Sequence, residues 1–192
     1  MGELPIEKIA GFFAFLVKSG LGMSESELTK ICYAFKESAM RDSSKDLLSS
    51  TAIFSKVAAK MVVAARGQEK DKEILRTVFK STIEPIIEQH MEHLSIAEAS
   101  MALRSIQAVS GFSSVTLPNR VMSVQLRNLP SANHLELAAL LDVALDVNLS
   151  AKSKGTGLLD QEPCDIIREI CKLSLSNSNS VSDQSQVKNS GG

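Results

Sequence analysis

The sequence predicts an all-α protein, and three observations carry that reading. Apolar residues recur at i, i+3, i+4 and i+7 in segments of roughly sixteen residues. Short turns of Ser, Gly, Asn and Pro separate these segments. Nowhere does the sustained apolar–polar alternation of a half-buried strand appear. The segments also pair. Leu4–Gly20 (LPIEKIAGFFAFLVKSG) and Leu94–Gly111 (LSIAEASMALRSIQAVSG) each open on Leu, carry an aliphatic stripe, stop at Ser-Gly and lead into a second helix. About eight helices are expected over residues 1–175, arranged as irregular, α-solenoid-like hairpins, with a compact helical bundle as the alternative.

The first helix is expected from Pro5 to about Lys18, because Pro is tolerated where its missing N–H would lack a partner anyway. Ile6, Ile9, Phe13, Leu16 and Val17 form its buried stripe, widened by Phe12, and Gly20 and Gly22 end it. Ser24 and Glu27 make a capping box for the second helix, whose inward face is Leu28, Ile31, Cys32 and Phe35. After a turn near Asp42 to Lys45, the third runs from about Ser50 to Arg66 with Ile53, Val57, Met61 and Ala64 tracing one side; Gly67 closes it. The fourth covers Glu69 to Ile83 through Ile74, Leu75, Val78 and Phe79, and Pro85 is expected to kink or break the chain. Ser95 and Glu98 cap the fifth, which buries Ala99, Ala102, Leu103 and Ile106 and stops at Gly111. Thr116 or Ser114 caps the sixth, with Val121, Val124 and Leu129 inward and Pro130 as its boundary. Asn133 and Glu136 cap the seventh, whose face is Leu137, Leu140, Leu141, Ala144 and Leu145. Residues 150–159 read as an exposed loop and Asp160 to Leu175 as the eighth helix. The Ser/Asn-rich tail, 176–192, has almost nothing to bury and reads as disordered.

Composition narrows the function classes. Apolar residues make up 44% of the chain and aromatics only 4%, so the core must be aliphatic. With no Trp and a lone Tyr33, the chain lacks a stacking platform for single-stranded bases. A net charge of −1 gives no global attraction to nucleic acid or to acidic membranes. Three cysteines, at 32, 164 and 171, do not make a disulfide framework. Cys164 and Cys171 would share a helix face as buried free thiols, consistent with a reducing compartment. The apolar stretch Ile9–Val17 is too short to span a bilayer, and no targeting segment is read.

No catalytic constellation emerges. His90 and His93 share a helical face near Glu84, Glu88 and Glu92, but no third His or Cys completes a metal set, so a solvated polar face is the simpler reading. Ser153-Lys154-Gly155-Thr156-Gly157 has small residues and a Lys but lacks phosphate-loop spacing and a preceding strand. Asp142 and Asp146 read as solvated like charges. No enzyme, metal, cofactor or small-molecule substrate is expected. Charge distribution says more. Residues 1–83 carry thirteen Lys or Arg against ten acids, and the remainder eight against twelve. Lys56, Lys60, Arg66, Lys72, Arg76 and Lys80 make a one-sided basic row on two successive helices, suited to phosphate oxygens, although Glu69, Asp71 and Glu73 intersperse it. Arg104, Arg120 and Arg127 form a sparser second set.

The stretch Leu94 to Ser150 (LSIAEASMALRSIQAVSG…LDVALDVNLS) resembles the degenerate helical hairpins of organelle RNA-metabolism proteins. Among these are the Fas-activated kinase-like (RAP-domain) proteins and helical-repeat subunits of protist mitochondrial editing complexes and mitoribosomes. The resemblance implies a non-catalytic scaffold subunit of a mitochondrial ribonucleoprotein, with protein subunits and RNA as its partners. On that reading the Lys56 to Lys80 row contacts RNA. The competing expectation is a protein–protein adaptor, cytoplasmic and without an RNA role, that receives a partner helix in an exposed apolar groove rimmed by polar residues.

Overall fold

A computed structural model describes residues 4–42, 46–64, 69–112, 116–153 and 165–173. It is all-α, with no strand among the described residues. Eight helices follow in order: α1 (Ile6–Lys18), α2 (Glu25–Ala39), α3 (Asp46–Ala64), α4 (Glu69–Val78), α5 (Glu84–His90), α6 (Ile96–Ser110), α7 (Thr116–Leu126) and α8 (His134–Ser153). Residues 165–173 are helical as well.

Three of the predicted starts and two of the stops are made by the residues named for them. Glu27 accepts from the Ser24 N–H at 2.7 Å, while Ser24 Oγ accepts from the Glu27 N–H at 3.3 Å. Ser95 and Glu98 repeat the box at 3.0 and 3.2 Å. Asn133 Oδ1 accepts from the N–H groups of Leu135 and Glu136, both at 3.0 Å. Each such cap satisfies donors that the first helical turn leaves unpaired and contributes about 1 kcal/mol. At the other ends, Gly20 (φ 69°) and Gly111 (φ 65°) adopt the left-handed conformation that side chains resist.

Pro85 does not break the chain. A π-helical turn, Phe79–Ile83, lies immediately upstream and α5 continues from it. Within this turn the Glu84 N–H donates to the Phe79 carbonyl five residues back. Pro85 cannot donate, and its ring would crowd the carbonyl four residues earlier; the wider turn gives that ring room without stopping the helix.

The hairpins stack so that first helices adjoin first helices and second adjoin second. α3 packs on both α1 and α6, and α6 packs on α8; behind them α2 packs on α4, and α5 on α7. Phe54 joins the first three helices, its ring 4.0 Å from Phe35 and 4.8 Å from Phe13 between centroids. Flanked on two sides, α3 is also the one helix among the described residues long and apolar enough to cross a membrane. In this fold it is a central helix.

That position corrects several expectations. The inward face of α3 is Leu47, Thr51, Phe54, Ser55 and Ala58, whereas Ile53 and Ala64 are exposed and Val57 and Met61 half-buried. α3 is apolar on more than one side, so periodicity alone picks a stripe of which only Val57 and Met61 pack against the core; small residues face the neighbours because they let helices approach closely. Phe12 is 55% exposed rather than buried. Leu145 is exposed, its place on the inward face of α8 taken by Val143 and Val147. α3 begins at Asp46, before Ser50, and α8 continues to Ser153, past the loop expected from 150. Thr116 is the first residue of α7. Cys171 is exposed, not buried. Ser114, Cys164, the remainder of the expected 154–159 loop and the 176–192 tail lie outside the described residues.

Candidate partner-binding groove

The basic row does not stay together. Lys72 and Arg76, on α4, are spent on acids of their own helix. Arg76 Nη1 lies 2.8 Å from Glu69 and 3.5 Å from Glu73, and Lys72 Nζ lies 3.3 Å from Glu69. Arg76 Nε also donates to the Val109 carbonyl at 3.3 Å, tying α4 to α6. The Arg76 hydrogen bond, followed by that of Lys72, holds the Glu69 carboxyl below the usual carboxylate range. Lys80 is exposed within the π-turn. Burial raises the Glu84 carboxyl nearby, partly offset by the Lys80 charge. Arg66 lies outside the described residues.

Lys56 and Lys60 have a different setting. They project from α3 into the rim of a groove of about 750 Å³ bounded by α3, α6 and α8. Ala97, Ser100, Met101 and Ala108 line it from α6, Ala59 and Val63 from α3, Leu135 and Ala139 from α8. The trough exists because α6 sits between α3 and α8 and presents mainly small side chains toward solvent there, while larger ones stand on either side. Val63 is 75% and Leu135 83% exposed, an unusual cost for branched aliphatics on one shared hollow.

The polar residues lining the groove are Lys56, Lys60, Ser100, Arg104, Ser105, Asn133 and Glu136. Arg104 pairs with Asp142 and reaches the Ala139 carbonyl at 3.5 Å, fastening α6 to α8. Ser105 donates to the Met101 carbonyl at 2.7 Å. The buried hydroxyl of Ser100 has no hydrogen-bond partner. Among the described residues, neither Lys56 nor Lys60 has an acidic partner within 4.0 Å.

The remaining candidates resolve into structure. Arg120 pairs with Glu88, and Arg127 lies 3.5 Å from Glu92, so the second arginine set links neighbouring helices. Asp142 is the partner of Arg104 and not merely a solvated charge. No group of three potential metal ligands, His90 and His93 included, forms among the described residues. Burial pushes the Cys32 thiol up to about 12, which keeps it protonated. Sequence reasoning missed the groove residues of α6 and α8, because Ala97, Ser100, Ala108 and Ala139 are ordinary helix formers. Only the exposure of Val63 and Leu135 marks the site, and exposure is a tertiary property. No protein family, curated protein or solved structure matches the chain.

Proposed function

We propose that this chain is a non-catalytic helical adaptor, built of stacked irregular hairpins, that holds an amphipathic helix of a partner protein in the α3–α6–α8 groove. One observation carries the reading: an open apolar trough with two lysines on its rim that have no acidic partner among the described residues. Lys56 and Lys60 stand one helical turn apart, about 6 Å between Cβ atoms. Two carboxylates at the same spacing on a partner helix would meet both, while its aliphatic face fills the trough. Helix-in-groove recognition of this kind draws affinity from the apolar face and orientation from the charges.

Direct RNA contact through the basic row is supported less well. It needs Lys72 and Arg76 free, and both are in ion pairs with Glu69 and Glu73. The mitochondrial ribonucleoprotein setting rests on the likeness of residues 94–150 alone.

Fluorescence anisotropy tests the proposal with three labelled probes: a synthetic helix bearing a Leu face and Glu at i, i+4, the same helix with Lys for Glu, and a single-stranded RNA. The acidic helix is expected to bind at micromolar Kd, with at least tenfold loss on K56E/K60E and on A139W, which fills the trough. Salt-sensitive binding of the RNA but not of the acidic helix would replace this reading with the RNA one.

A further inference from the structure

We propose that α1 pairs with α1 of a second copy of this chain, antiparallel, about a two-fold axis passing between residues 12 and 13. The inference is independent of the groove and begins with the phenylalanines. The chain has seven. Five of them, Phe13, Phe35, Phe54, Phe79 and Phe112, are at most 5% exposed, whereas Phe12 and Phe15 are 55% and 62% exposed. Both lie on the solvent side of α1. Beside Phe12 is an apolar hollow of about 290 Å³ shared with Leu16, Leu21 and Ile31, which extends the patch toward α2.

Gly11 is the second observation. It sits inside α1 on the exposed side, and a Cβ placed there would meet nothing within 4 Å. Its own fold therefore has no need of a glycine, although glycine weakens a helix interior relative to alanine. A notch at an exposed helix surface is useful where another backbone or a large side chain comes close.

The charges supply the orientation. Glu7 and Lys18 fall within about 20° of each other around the helix, on one edge of the exposed face. Neither has an ion-pair partner among the described residues. An antiparallel two-fold pair lays like edges side by side. With the axis between residues 12 and 13, Glu7 faces Lys18 of the second copy at both ends. In the same register Phe15 lands within about one residue's rise, 1.5 Å along the axis, of Gly11 of the second copy. The phenylalanine fills the notch, twice per dimer, and the two Phe12 rings meet near the axis. A parallel pair would set Glu7 on Glu7, Lys8 on Lys8 and Lys18 on Lys18, whereas the antiparallel one sets Glu7 between its own Lys8 and Lys18 of the second copy, so the charges favour the antiparallel one.

Sedimentation equilibrium of the full chain, from about 5 to 500 μM, reads the outcome as a monomer–dimer constant in the tens of micromolar. F15A and G11L are each expected to weaken dimerisation at least tenfold while far-ultraviolet circular dichroism stays unchanged, since both positions face solvent in the monomer. E7K or K18E alone weakens it severalfold; E7K/K18E together restores it, because the swapped charges again oppose one another. A chain monomeric throughout that range overturns the proposal, as does a dimer indifferent to F15A and G11L, or an E7K/K18E double weaker than either single change. K56E/K60E leaves the dimer unchanged.

Discussion

Lys56 and Lys60 on α3, and Lys72 and Arg76 on α4, share one four-residue spacing and opposite fates. The α4 pair is neutralised by Glu69 and Glu73, one and two turns away on the same helix. The α3 pair has no acid to meet on its own helix beyond Asp46, because none occurs from 47 to 68. Tertiary packing then sets α6 and α8 beside the α3 pair and puts an apolar trough at its feet. A basic row is therefore not one feature. One half lines the groove without an acidic partner among the described residues, and the other staples helices, through Arg76 to the Val109 carbonyl in particular.

The comparison can be broken first within α3, whose two sides should answer differently. Phe54 is fully buried between Phe13 and Phe35. F54A is expected to destabilise the chain by about 3–5 kcal/mol in urea denaturation, the usual loss for a buried ring. K56E/K60E, on the groove side, should leave the urea midpoint within about 0.5 kcal/mol of the parent while removing binding of the acidic helix. A matching loss of stability would make these lysines structural and end the contrast.

The α4 half should behave in reverse. E69Q/E73Q releases Lys72 and Arg76, so affinity for single-stranded RNA at low salt should rise severalfold, with a steeper salt dependence. Binding of the acidic helix should not change. An E69Q/E73Q chain with unaltered RNA affinity would show that the ion pairs are not what silences this surface.

The smallest effect is in the pH dependence. The folded-state pKa of Glu69 lies below its ordinary 4.5, as does that of Glu27, which accepts from the Ser24 hydroxyl and N–H. Their contribution is full above that value and is lost as pH falls through the lowered ones. Glu84 has the opposite sign. Burial raises its pKa, so its contribution is full below 4.5 and is lost as pH rises through the raised value. Urea midpoints between about pH 3 and 6 should therefore fall on acidification, less so in E69Q, with E84Q removing the loss at the upper end.

Much of the fold is legible in the chain because its signals are local. Ser24 with Glu27, Ser95 with Glu98, and Asn133 with Glu136 start helices through bonds reaching only three residues. Gly20 and Gly111 end helices through their own φ. Pro85 was visible as a disturbance, but the π-turn Phe79–Ile83 that accommodates it was not legible in the chain. The groove was hardly legible at all. Its small residues on α6 carry no motif, and of the apolar stripe read on α3 only Val57 and Met61 pack against the core.

The sequence by itself determined the all-α class, the capped helix starts at Ser24, Ser95 and Asn133, the stops at Gly20 and Gly111, and the basic residues, since propensity, capping and period act within a few turns. Tertiary structure alone decided which side of α3 is core, that Lys56 and Lys60 border an apolar trough, and that Phe12 and Phe15 face solvent. Burial depends on which helices come to lie alongside. A helix apolar on several sides, such as α3, leaves that choice to its neighbours.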